Sequence, residues 1–198
     1  MDARLLESDS IVFDVGNVLL TFDPAKVASL LPEEHRQALS QAMFGPDWRW
    51  SAFDLGVEGN EAIAQSMADA AGVPGGKDMV LHALYTFYRT MEPLPLYHMI
   101  PALKSMGKRL FALTNYCEPS FSFAYDAFPN LHLLDGAVVS AREKICKPDP
   151  AFFGVLTERY GLIPEKTLFI DDSLANVQSA QRIGFRTWHY AGGDVIPA

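Results

Sequence analysis

The chain of 198 residues is long enough for one sizeable domain carrying an insertion, and 49% of it is apolar, enough to bury a core. A formal charge of −8 without any block of like charge speaks against a nucleic-acid or anionic-membrane surface, and no apolar run could span a bilayer. An acidic N-terminus and only two cysteines, Cys117 and Cys146, fit neither a secretory signal nor a disulfide framework, so a cytoplasmic location is expected.

The first informative stretch, residues 11–20, sets a lone carboxylate, Asp14, between two apolar runs. Short β-branched runs predict a buried strand, with Asp14 where it opens into a loop through Gly16. An Asp there can cap the turn. If it is buried and ionised, it needs a cation, a metal or a proton.

Thr21-Phe22-Asp23-Pro24 breaks the strand pattern, and a mostly helical stretch follows to about residue 95. Helices are expected over 33–43, from Asn60 to a stop at Gly72, and over 79–91, with Pro93 and Pro95 ending the last. Helix and strand then alternate. A helix over 97–106 closes at Gly107, a strand covers 109–114, a helix 120–127 and a weaker strand 136–140. Asp149-Pro150 opens a helix that Gly161 ends, a strand over 167–170 runs into Asp171-Asp172, and a helix over 173–183 precedes a last strand over 185–190.

Strands separated by single helices imply parallel pairing, hence a doubly wound, Rossmann-like α/β sheet. The block 21–95 is too long for an ordinary crossover and is expected to be a helical cap inserted into a core formed by 1–20 and 96–198.

Sites in such sheets form beyond the carboxyl ends of the strands, where Asp14, Thr114-Asn115 and Asp171-Asp172 stand. Taken singly, Thr114 can be a strand end, Lys147 a loop lysine biased to extended backbone by Pro148, and the acidic pair a helix cap. Together, three carboxylates at one edge repel one another unless a divalent cation sits among them. Hard oxygen ligands select Mg2+, which typically completes its shell with substrate phosphate, and Lys147 adds a charge for the same anion.

Asp14-Val15-Gly16-Asn17-Val18, Thr114-Asn115, Lys147-Pro148-Asp149-Pro150 and Asp171-Asp172-Ser173-Leu174-Ala175-Asn176 resemble, in order, the four motifs of the haloacid dehalogenase superfamily. The resemblance runs over nearly the whole chain, and a helical insertion after the first motif is that family's C1 cap arrangement. It implies a phosphatase in which Asp14 attacks phosphorus to give an aspartyl-phosphate, Thr114 donates to the transferring group, and Lys147 neutralises it. Mg2+ would take Asp14, the Gly16 carbonyl and the acidic pair, with Asp172 direct and Asp171 through water. Most phosphatases of the superfamily carry a second Asp two residues after the nucleophile as general acid, where this chain has Gly16. The Asp-x-Gly-Asn-Val form resembles the subgroup of α-D-glucose-1-phosphate phosphatase, and Asp23 is the candidate replacement.

Asn115, Tyr116 and Asp23 are the expected substrate contacts, and Phe44, Trp48, Arg49 and Trp50 form an aromatic-rich turn of the cap with no assigned role. The expected partner is a small phosphorylated metabolite, a sugar phosphate among the candidates, met by a monomer or homodimer. A haloacid dehalogenase and a catalytically silent member of the same fold are the alternatives.

Overall fold

The computed structural model describes residues 2–190. One turn, α1 (Ala3–Leu6), leads into β1 (Ser10–Phe13), all of whose residues are buried. Five helices fill the stretch up to residue 86: α2 (Pro24–Ala28), α3 (Glu33–Phe44), α4 (Ser51–Leu55), α5 (Asn60–Ala71) and α6 (Gly76–Thr86). A 3-10 turn, Phe87–Thr90, closes this block. The remainder alternates: α7 (Pro95–Ser105), β2 (Arg109–Thr114), α8 (Ser120–Ala127), β3 (Gly136–Val139), α9 (Ser140–Glu143), α10 (Pro150–Tyr160), β4 (Thr167–Asp171), α11 (Leu174–Arg182) and β5 (Arg186–His189).

Local chemistry accounts for most boundaries. Asp149 accepts a hydrogen bond from the Ala151 amide ahead of Pro150, and α10 ends on Gly161 in the left-handed region (φ 60°). Gly72 (φ 65°) ends α5 in the same way. Two expectations shift. Pro95, taken as a stop for the preceding helix, instead opens α7, because its fixed φ suits a first helical turn. The helix expected over 79–91 divides into α6 and the 3-10 turn. The short helices α2, α4 and α9 were not foreseen, since four or five residues carry too little periodicity to read.

The five strands are parallel in the order β3-β2-β1-β4-β5, which puts β1 at the centre. Alternation along the strands then sorts the core. Ile11, Phe13, Leu110, Ala112, Leu168 and Ile170 face one side, while Val12, Phe111, Leu113 and Phe169 face the other and meet Phe152, Phe153 and Leu156 of α10.

The helical block joins the sheet through two segments lying side by side. The Thr21 amide donates to the Glu92 carbonyl at 2.9 Å and the Leu94 amide to the Leu19 carbonyl at 2.8 Å. Trp50, Phe53 and Phe87 of the block belong to the same apolar cluster as Ile11 and Phe13 of β1. Burying a side chain of this size is worth about 1.5–3 kcal/mol, so the block is held onto the sheet by a shared core as well as by its connections. Among the described residues, no helix is long and apolar enough to cross a membrane.

Candidate active site

Parallel strands bring their carboxyl ends to one edge, and the register there is direct. Phe13 lies beside Ala112 and Ile170, so Asp14 follows at the level of the ends of β2 and β4, its amide donating to the Ile170 carbonyl at 2.9 Å. Asp14, Asp171 and Asp172 each offer an oxygen within 4.8 Å of the other two.

Lys147, from the loop between α9 and α10, reaches this cluster with no part of its side chain exposed. Its Nζ lies 3.0 Å from Asp14 Oδ1 and 2.7 Å from Asp171 Oδ2. Burial works against the ammonium, but Asp14 and Asp171 outweigh it and raise the lysine above its usual range. Asp14 keeps 14% of its side chain open to the cavity, enough for a reactant to approach. Burial, partly offset by Lys147 and reinforced by Asp171, pushes Asp14 up to about 7. Burial and the neighbouring Asp171 also raise Asp172.

The two members of the acidic pair differ. Asp171 is fully buried and accepts from Lys147, from the Ser173 amide at 2.8 Å and from Asn176 Nδ2 at 3.0 Å. Asp172 lines the cavity and accepts one long bond, 3.3 Å, from Asn17 Nδ2. Asn17 sits at φ 55°, a conformation Asn tolerates better than most residues, and its Oδ1 accepts from the Phe22 amide. These holding roles of Asn17 and Asn176 escaped the sequence reading, which gave neither residue a task.

Thr114 closes β2, is buried, and has an Oγ1 without a hydrogen-bond partner among the described residues. A buried hydroxyl left in this state is uncommon and suits a site that receives an acceptor. Asn115 lines the cavity, yet both ends of its amide are taken by Lys147: Nδ2 donates to the lysine carbonyl at 3.0 Å and Oδ1 accepts from its amide at 2.9 Å. It therefore fixes the lysine loop. Tyr116 is buried against Phe87, with ring centroids 5.4 Å apart, and its hydroxyl meets Met91 Sδ at 3.4 Å. Asp23 is not brought to the site: it is exposed, accepts from the Ala25 amide as the cap of α2, and lies outside the cavity lining.

The cavity over Asp14 has a volume of about 560 Å³. The strand edge contributes Asp14, Gly16, Asn115, Lys147 and Asp172, and the helical block adds Phe22, Trp48, Trp50, Asp54, Phe87 and Met91. Asp54, on α4, is a further residue that sequence reasoning missed. Burial first, and then the charge of Asp14, push its carboxyl up to about 7. A usable signal existed, since Asp54 is an acid that follows the aromatic-rich segment of Trp48, Trp50 and Phe53.

One ammonium does not balance three carboxylates in so small a space, and beyond the effect of burial the charge of Asp171 raises both Asp14 and Asp172. The donor set is all hard oxygen, so it fits a small divalent cation of the Mg2+ type.

A doubly wound sheet with carboxylates, a lysine and an unpartnered hydroxyl converging on its carboxyl edge is the architecture of a hydrolase of the α/β class with a candidate site around Asp14. The chain belongs to the haloacid dehalogenase-like hydrolases, whose family profile matches residues 9–184. It is similar to a sesquiterpene phosphatase of Aspergillus oryzae, 25% identical over 182 residues covering 90% of this chain and 87% of that protein. A D-ribitol-5-phosphate phosphatase of Bacteroides thetaiotaomicron is 22% identical, with 93% and 92% covered. Among solved structures, a haloacid dehalogenase-family enzyme of B. thetaiotaomicron in complex with magnesium and inorganic phosphate shares the fold, with a TM-score of 0.77 at 20% identity over 95% of this chain and 96% of that one.

Proposed function

We propose that this hydrolase is a Mg2+-dependent phosphatase of small phosphomonoesters, working through an aspartyl-phosphate on Asp14. The observation that carries the reading is Lys147, buried and bonded to both Asp14 and Asp171 beside the unpartnered Thr114 hydroxyl. A lysine so held favours the ionised form of Asp14 against the cost of burial and meets the charge of the incoming phosphoryl group. Thr114 Oγ1 donates to one phosphoryl oxygen, and Asn115 orients the lysine loop rather than the substrate. Tyr116 forms part of the wall against which the rest of the ester lies.

Asp14, the Gly16 carbonyl and Asp172 would hold the cation. Asp171, whose oxygens already take three donors, is the poorer direct ligand and acts from behind. Bound there, Mg2+ supplies charge neutralisation to the phosphoryl oxygens. We assign residues 21–95 the part of a cap that closes over the strand edge and sets specificity. The names of both curated relatives favour phosphate-ester hydrolysis. Carbon–halogen displacement, which needs no metal, would leave the acidic pair without a task.

The test is phosphate release, with and without Mg2+, from a panel of sugar phosphates including α-D-glucose 1-phosphate and from other small phosphomonoesters. Asp14→Asn should abolish turnover with the fold intact, because an amide cannot form the acyl-phosphate. More than a few per cent of wild-type turnover in that variant, on the order of what a contaminant could not explain, would overturn the nucleophile assignment.

A further inference from the structure

In-line displacement puts the leaving oxygen on the far side of phosphorus from the nucleophile, so a side chain that gives it a proton must reach that side of the cavity. Gly16 brings no acid, although space is not the reason: a Cβ there would meet only Phe22 Cβ, at 3.8 Å. Asp23 is outside the cavity. Of the side chains that the block 21–95 sends into the lining, Asp54 is the one ionisable group among the described residues, and it lines the same cavity as Asp14.

Asp54 is held as a working group needs to be. The Ser140 hydroxyl donates to its backbone carbonyl while accepting from the Tyr116 amide at 2.9 Å. Two residues on, Gly56 (φ 61°) lies so close to α9 that a Cβ would fall 2.9 Å from Ala141 Cα, and the Lys144 ammonium donates to its carbonyl. The end of α4 is thus fastened to α9, and through Ser140 to the loop after Thr114. The backbone that carries Asp54 is therefore tied to the segment that follows β3, which sets its position relative to the strand edge.

We propose that Asp54 is the general acid and base of this site, a catalytic residue that does the work for which Gly16 has no side chain. The inference rests on the phosphatase reading above. In the first half-reaction the Asp14 carboxylate forms a bond to phosphorus, the bond from phosphorus to the ester oxygen breaks, and the Asp54 proton moves to that oxygen, releasing a neutral alcohol. In the second, the Asp54 carboxylate takes a proton from the water that attacks the aspartyl-phosphate. Inorganic phosphate leaves, and Asp14 returns as carboxylate and Asp54 as acid. Its raised value of about 7 lets both forms be present near neutrality.

The experiment compares wild type with Asp54→Asn in Mg2+, over aryl phosphates from 4-nitrophenyl phosphate upward and alkyl phosphates ending in a primary alkyl ester, with log(kcat/KM) plotted against leaving-group pKa. The expected loss in the variant grows along the series, to the order of 10²–10⁴-fold at the alkyl end, so the line steepens. An equal loss on every ester would mean that Asp54 only shapes the site, and coincident lines that it takes no part; either overturns the proposal while leaving the phosphatase reading intact. A wild type that releases phosphate from none of these esters would overturn the phosphatase reading and the proposal with it. If Asp54→Asn does not fold, as thermal unfolding would reveal, Asp54→Ser, smaller and equally unable to act as an acid, carries the same comparison.

Discussion

Lys147→Met takes the cation from between Asp14 and Asp171 while keeping an apolar stem under the Phe169 ring, over which the ammonium now lies at 5.7 Å. Two charge-assisted contacts vanish, at 2.7 and 3.0 Å, and three carboxylate oxygens within 4.8 Å of one another lose the ammonium beside them. Removing one preorganised electrostatic donor commonly costs about 10²–10³ in kcat, or roughly 2.7–4 kcal/mol of barrier. The loss should fall on kcat, because the charge Lys147 screens grows as the phosphoryl group moves toward Asp14. Stability should suffer too. Breaking a buried pair typically costs about 3–5 kcal/mol, here toward the lower end because Asp14 can take up a proton in place of its partner. Steady-state kinetics on the best ester of the panel and urea unfolding at pH 8 measure both. A change confined to KM, or an unfolding free energy equal to that of wild type, would refute the electrostatic role derived from this geometry.

Chelation should abolish phosphate release and Mg2+ restore it, whereas Ca2+, larger and looser in coordination, should inhibit; full activity in EDTA would remove the cation from the reading. The chelated protein should also lose stability as pH rises. Asp14 and Asp54 both lie near 7 in the folded chain against a model value of 3.8, so the native state binds protons more tightly than the unfolded one. Their contribution is complete below about pH 4 and is lost as pH climbs through about 7. Thermal midpoints in EDTA should therefore fall between pH 5.5 and 8, and a flat or rising profile would contradict the burial of these two carboxyls.

Helix α4, which carries Asp54, has no local signature in the sequence. Its five residues follow Trp50 without a side-chain cap and end on Gly56, so neither a start signal nor a period marks them. What holds the segment is distant in sequence, namely Ser140 and Lys144 near the far edge of the sheet. The same holds for Asn115, whose two bonds to the Lys147 backbone span 32 residues.

Local rules were enough for the repeating parts. Apolar runs fix β1, β2 and β4, Asp149-Pro150 and Gly161 bound α10, and the polar residues at strand ends announce an edge where chemistry gathers. They could do so because strand alternation, capping and glycine stops are settled within a few neighbours. Strand order is not such a property. That β1 lies between β2 and β4, so that Asp14 stands beside both Thr114 and Asp171, depends on pairings across about 100 and 160 positions. Only the packed chain decides which of several carboxylates share a cavity: it buries Asp14 and Asp171 against Lys147, turns Asp54 inward, and leaves Asp23 outside as a helix cap, because burial and charge pairing are set by what comes to lie opposite each acid.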